Sequence, residues 1–191
     1  MSLSGSNRPV GEILDDEDLW ARRFALKEAN KTGDVATLIA GLTDPDHRGV
    51  AARYLGRAKA LEARVPLERL LAASDPDVRA AAVGALGQIG APESTPLLVK
   101  TAQSDEAINV RTWAIMALGE GKNREAMPHL LSLLQNESTR IRLCAVLALR
   151  EMNSAVAIPA LRNEVGKEAL RMKLAYWRAI ASLTIRGTRA A

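Results

Sequence analysis

Asp75-Pro76-Asp77-Val78-Arg79-Ala80-Ala81-Ala82-Val83-Gly84-Ala85-Leu86-Gly87-Gln88-Ile89-Gly90 begins in a turn and closes on a glycine, and the text between them reads as one helix. In Ser74-Asp75-Pro76-Asp77 an Asp can cap the helix that follows, its carboxylate accepting from the unpaired amides of the first turn. Val78, Ala82, Ala85, Leu86 and Ile89 recur at helical spacing and form one buried stripe. Gly90 is placed to end the helix.

The same text recurs along the chain. A basic residue behind a short hook appears at Arg48, Arg79, Arg111, Arg142 and Lys173, at spacings of 31, 32, 31 and 31. A second marker, Pro66, Pro96, Pro128 and Pro159, is spaced 30, 32 and 31. Each proline opens an apolar run, as in Pro66-Leu67-Glu68-Arg69-Leu70-Leu71, and its fixed φ and missing N–H suit the first position of a helix. Each period is therefore a helix, a turn such as Asp44-Pro45-Asp46, and a second helix. Units of this length bury their apolar faces only by stacking on their neighbours. The expectation is all-α: one solenoid of about six helix pairs over residues 9–184. Residues 1–8 read as a disordered or tag-derived leader, and 185–191, without periodicity, as a frayed tail. Leu19 to Ala29 with Val35 to Leu42 read as a degenerate first pair, because Arg22 falls where the other copies have a small buried residue.

Composition agrees. Of 191 residues 48% are hydrophobic and only 3% aromatic, and an Ala- and Leu-rich chain packs helices closely without ring layers. The net charge of +4 is spread over 26 basic and 22 acidic residues with no block of like charge, which argues against nucleic acid. A single cysteine, Cys144, excludes an internal disulfide framework, and two histidines leave little for a metal site; a reducing cytoplasm fits. No apolar run approaches the roughly 20 residues that span a bilayer, and none at the start resembles a signal peptide.

Asp75-Pro76-Asp77-Val78-Arg79 through Ala85-Leu86-Gly87-Gln88-Ile89-Gly90 resembles the HEAT-like repeat of phycobilisome lyases, and Val110-Arg111 to Ala117-Leu118-Gly119 is a second copy. The copy at Ile141-Arg142 keeps Ala145, Ala148 and Leu149 but has Arg150 in place of the glycine. The resemblance covers residues 35 to 184 and implies a right-handed α-α superhelix with armadillo-like architecture. It also implies that the repeated arginine pairs with a turn aspartate, Asp44, Asp46, Asp75 or Asp77, of its own or a neighbouring repeat, and such pairs, where exposed, are worth on the order of 1 kcal/mol or less each. The rival reading, a ladder of phosphate ligands, is the weaker one. Gly56, Gly87 and Gly119 read as points of close helix approach, since none lies in a Gly-rich loop after a strand.

Counted from the basic residue as zero, positions minus 1, 3, 6, 7 and 10 form the stripe. The resemblance puts positions 1, 2, 5 and 9 on the concave side. There the units carry Gly49, Val50, Arg53 and Arg57; Ala80, Ala81, Gly84 and Gln88; Thr112, Trp113, Met116 and Glu120; Leu143, Cys144, Leu147 and Glu151; and Leu174, Ala175, Arg178 and Ser182. The expected binding surface is an apolar patch centred on Trp113, Met116, Leu143 and Leu147, with small Ala80, Ala81 and Gly84 beside it and Arg53, Arg57, Gln88, Glu120, Glu151 and Arg178 at its rim. Two readings of it stand: an open partner site, or positions covered by curvature or by a terminal tail. Tyr176 and Trp177 read as end-cap packing, His47 as a partly buried structural residue, and His129 lies on an outer helix.

Three enzyme-linked groups resemble this architecture and differ from the chain at particular residues. Deoxyhypusine hydroxylases, similar in fold, need His-Glu pairs, whereas here the histidines stand in His47-Arg48 and His129-Leu130. HEAT-like alkylpurine DNA glycosylases use Trp, Asp and Arg in the concave cleft, and on this reading only Glu120 approaches Trp113. Bilin lyase or isomerase subunits, since an apolar groove can hold a tetrapyrrole, and a HEAT-like DNA-binding protein or DNA glycosylase remain the alternatives. No Ser-His-Asp set, P-loop or Cys-His pair is present. The expectation is a non-catalytic cytoplasmic adaptor without cofactor or metal. Its partner would be an amphipathic helix or apolar peptide of a protein, or the same segment of a second copy in a homodimer.

Overall fold

The computed structural model describes residues 10–166 and 170–189, and the expected leader at 1–8 lies outside them. The described residues form an α-α superhelix. A long first helix, α1 (Val10–Thr32), precedes five pairs: α2 (Val35–Ala40) with α3 (Arg48–Arg57), α4 (Arg64–Leu70) with α5 (Pro76–Ile89), α6 (Thr95–Ser104) with α7 (Ile108–Glu120), α8 (Met127–Ser132) with α9 (Thr139–Glu151), and α10 (Ile158–Val165) with α11 (Leu170–Arg189). The second helices α3, α5, α7, α9 and α11 stack on one another as one layer, each backed by the first helix of its own pair. Val35 to Leu42 thus pairs forward with α3, and α1 packs on α2 as a single end helix. The tail read as frayed is helical through Arg189, because Ile185-Arg186-Gly187-Thr188-Arg189 contains no proline to stop α11.

The core follows the period. Ala51, Ala82, Ala114 and Ala145 are fully buried, and Leu55, Leu86, Leu118 and Leu149 nearly so. Leu67, Leu98, Leu130 and Leu161 fill the equivalent place in the first helices. Position 4, left out of the expected stripe, is also core: Ala52, Val83, Ile115 and Val146 are inaccessible. A second helix lies between two neighbours and so buries both flanks, wider than one amphipathic stripe.

Glycine allows the closest of these contacts. A Cβ on Gly56 would lie 2.7 Å from the Cα of Ala85, on Gly87 2.7 Å from that of Ala117, and on Gly119 2.6 Å from that of Ala148. At the fourth junction the place is taken by Arg150, whose half-exposed guanidinium turns to Glu151 at 3.2 Å.

Each of the first four second helices is followed, eleven residues after its arginine, by a left-handed residue: Lys59 (φ 51°), Gly90 (φ 71°), Lys122 (φ 53°) and Asn153 (φ 53°). Only Gly90 takes this shape without a Cβ penalty. Lys122→Gly is expected to stabilise by about 1 kcal/mol, read as a midpoint about 2–4 °C higher in thermal unfolding.

Arg79 pairs with the turn aspartate of a neighbouring unit, one of the two arrangements expected, but that aspartate is Asp105 and not one of the four expected. Arg79 Nη1 donates to the carbonyls of Ala73 and Ser74 (2.8 and 2.9 Å). Arg111 reaches Asp105 and Glu106 (2.6 and 3.3 Å), and Arg142 reaches Asn136 and Glu137 (2.9 and 3.0 Å), in the same way. The side chain thus closes the carbonyl end of the preceding turn, where positive charge is favoured. Its own turn aspartate is otherwise engaged: Asp75 accepts from the Asp77 amide at 2.8 Å, capping α5. Asp44 accepts from the Asp46 amide, and its carboxylate binds His47 Nδ1 (3.1 Å) and Arg22 of α1 (3.4 Å). Arg79 is buried, and it binds the carboxylate of the next unit with two 2.9 Å bonds to Asp105, plus Glu106 at 3.2 Å. His47, at 4% exposure, is as structural as the sequence implies.

Candidate functional site

The second-helix layer opens into a hollow of about 370 Å³ between α3, α5 and α7, lined by Arg53, Arg57, Asp77, Ala80, Ala81, Gly84, Ala85, Gln88 and Trp113. Its floor is α5, where Ala80, Ala81, Gly84 and Ala85 carry at most a methyl group. A helix built of such residues leaves room above it, and a Cβ on Gly84 would meet nothing within 4 Å. Trp113 forms one wall from α7 and stays 54% exposed. Arg53 and Arg57, one helical turn apart on α3, form the other, both exposed and neither in an ion pair with a described residue.

Seven of the expected residues are therefore brought together: Arg53, Arg57, Ala80, Ala81, Gly84, Gln88 and Trp113. The arrangement differs from the expected one in a specific way. Trp113 is a wall and not the middle of an apolar centre, and the arginines face it across the hollow instead of marking a distant rim. Met116, Leu143 and Leu147 are half-buried and line no part of it. Glu120, Glu151 and Arg178 are exposed elsewhere along the layer. Of the neighbouring positions, Thr112 is buried and donates to the Asn109 carbonyl at 2.9 Å.

Asp77 is the lining residue that sequence reasoning placed elsewhere, as a partner of the repeated arginine. It sits in the first turn of α5, two residues before Arg79, and that position points along the layer and not into the core. Ala85, assigned to the core stripe, lines the hollow with its edge.

Electrostatically the hollow is mixed, with two guanidinium groups against one exposed carboxylate, and the uncharged floor lowers the dielectric beside them. An anionic group entering beside Trp113 meets both arginines in one turn of α3. Cys144 lies outside it and is half-buried; burial pushes its thiol up, opposed by the charge of Arg140, so the group stays protonated and unreactive at neutral pH. Among the described residues no three His, Cys, Asp or Glu side chains gather as metal ligands would, and no helix is long and apolar enough to cross a membrane.

A family model described as HEAT repeats matches residues 35–119 and 95–175. Among solved structures, the complex of CpcE and CpcF of phycocyanin lyase from Nostoc sp. PCC7120 is similar with a TM-score of 0.63 and 21% identity, over 78% of this chain and 98% of that one. An engineered protein is similar with a TM-score of 0.57 and 22% identity, over 83% of each chain. A search of curated proteins returned no match.

Proposed function

We propose that this chain, which belongs to the HEAT-repeat family, is a non-catalytic scaffold that holds a protein or peptide partner in the hollow of its concave layer. The observation that carries the reading is the placing of an exposed tryptophan and two exposed arginines, without an ion pair among the described residues, around a floor of alanine and glycine. Tryptophan and arginine are the residues that most often dominate interface energies, and a small-residue floor lets a partner side chain descend between them. The matching ligand is a segment that places an apolar side chain against Trp113 and a carboxylate within reach of Arg53 and Arg57. That the similar phycocyanin lyase structure is a complex of two chains supports a protein partner.

Selection of a random peptide library against the purified chain, with Trp113→Ala as the counter-target, tests it. Enriched peptides should carry an acidic residue beside an apolar one and lose about 30-fold in affinity, about 2 kcal/mol, against Trp113→Ala. The midpoint of that variant should stay within a few degrees of wild type, because half of the side chain is in solvent. Peptides that bind both proteins equally, or a large drop in midpoint, would sink the reading. Visible absorbance gained with a bilin and lost in Trp113→Ala would replace it by the pigment-lyase alternative. Affinity for duplex DNA that collapses as salt rises would replace it by a nucleic-acid role.

A further inference from the structure

The hollow holds charge of both signs, and none of it is neutralised by a described residue. Asp77 lines it from the first turn of α5 and Arg53 and Arg57 line it from α3; all three side chains are exposed and in no ion pair with a described residue. Arg79, two residues after Asp77, turns into the next unit and binds Asp105 instead. Nor does the Asp77 carboxylate cap α5, because the cap is Asp75, which accepts from the Asp77 backbone amide at 2.8 Å. The Asp77 side chain is left over from the structure of the repeat.

The repeat does not require an acid there. Two residues before the basic residue, successive units carry Asp46, Asp77, Asn109 and Arg140. It does not fix the bases either: where α3 has Arg53 and Arg57, α5 has Gly84 and Gln88, and α7 has Met116 and Glu120. The mixture belongs to the hollow. Trp177, which the sequence places in end-cap packing with the buried Tyr176, is also 54% exposed, but it stands on α11, whose charged residues from Leu170 to Arg189 are all basic.

The register of the helices keeps the opposite charges apart. A Cβ on Gly56 would lie 2.7 Å from Gln88 Oε1, so the last turn of α3, with Arg57, lies beside the last turn of α5. Asp77 stands eleven residues before Gln88, about 16 Å along a helix that rises about 1.5 Å per residue. Arg53 lies between them and leans back a turn, so that a Cβ on Gly49 would be 3.9 Å from its Nη1. The floor between these poles is alanine and glycine.

Building on the scaffold reading of the hollow, we infer that its partner segment is bipolar: besides the apolar side chain on Trp113, it carries an acidic residue that meets Arg53 and Arg57 and a basic residue that meets Asp77. A segment with acids alone is drawn by the arginines and repelled by Asp77, and one with bases alone meets the reverse. Only a segment with both charges in the right order is attracted at each pole. Asp77 thereby fixes the register of the partner. An extended chain advances about 3.3 Å per residue, so acid and base stand about three to five residues apart in it.

Peptides selected from a random library on the wild-type chain, then measured by fluorescence anisotropy, test this. The tightest peptide is made in two forms, one with its base kept and one with that base replaced by Glu, and each is titrated with wild type, Asp77→Asn and Asp77→Lys. Enriched peptides should carry Lys or Arg about three to five residues from Asp or Glu. Wild type should bind the basic form about tenfold more tightly than the acidic form, about threefold from the pair gained and about threefold from the repulsion avoided. That preference should vanish in Asp77→Asn and invert in Asp77→Lys. Both variants should keep the circular dichroism of wild type, because Asp75 caps α5 through a backbone amide that either variant retains. Selected peptides without a base at that spacing, or a preference that survives in Asp77→Asn, would overturn the bipolar partner and leave the scaffold reading standing. Peptides that bind Trp113→Ala as tightly as wild type would remove the scaffold reading, and the bipolar partner with it.

Discussion

Arg79→Ala is expected to lower the thermal midpoint by roughly 6–20 °C, from a cost on the order of 3–5 kcal/mol at about 2–4 °C per kcal/mol for a domain of this size. The side chains of Arg79 and Asp105 are only 7% and 8% exposed, so truncation strands a buried carboxylate together with the carbonyls of Ala73 and Ser74. The cost therefore exceeds what an exposed pair is worth by several-fold. Circular dichroism melting at neutral pH measures it. Replacing both partners, Arg79→Met with Asp105→Leu, should recover much of the loss, since no unpaired charge remains.

The same pair is sensitive to acid. Burial pushes the Asp105 carboxyl up, but bonds from the Arg79 guanidinium and the Ala107 amide, with the charges of Arg79 and Arg111, hold it below its ordinary value. A folded-state pKa below the unfolded one gives stability that is complete above about pH 4 and lost as pH falls through the folded value. The gap between wild type and Arg79→Ala should be constant near neutrality and narrow in acid. A gap that widened in acid would mean that Asp105 is not the partner that matters.

Gly119→Ala is the second large effect, and its sign is the test. In an open helix, glycine to alanine stabilises by about 0.5–1 kcal/mol. At Gly119 the added methyl would lie 2.6 Å from the Cα and 2.8 Å from the carbonyl oxygen of Ala148, and backbone cannot yield as a side-chain tip can. The α7–α9 junction must widen, and the expected net loss is about 1–3 kcal/mol. Gly84→Ala, in the middle of α5 with open space above it, should gain stability instead. Equal responses at the two sites would refute the close-packing role of Gly119.

The period, the helix pairs and the glycine contacts were legible because each leaves a mark along one strand of text: proline at the start, alanine and leucine at helical intervals, glycine where backbones meet. Seven of the residues around the hollow were legible for the same reason, as positions that the repeat leaves free. What periodicity does not carry is the partner across the stack. Arg79 is expected to meet Asp44, Asp46, Asp75 or Asp77, of its own or a neighbouring repeat, whereas the turn aspartate that reaches it is Asp105, 26 residues away in the next unit. Val83, Ile115 and Val146 escaped the core stripe because their cover comes from neighbouring units, and Trp177 was assigned cover for the same reason. Met116, Leu143 and Leu147 share the apolar character of a site, yet the space opens one unit earlier, over the smaller residues of α5.

Arg150 has a consequence for how order is lost. A stack of units behaves as a one-dimensional chain of couplings, and unfolding travels along it from the weakest link. Three junctions are locked by a glycine in backbone contact, and the fourth is spaced by an arginine that faces solvent. Beyond that link, among the described residues, lie α10 and α11, so the last pair is expected to melt while the first three junctions stand. Loss of order is then expected to begin at the last pair and to reach the glycine-packed junctions only afterwards, which places early opening away from the hollow.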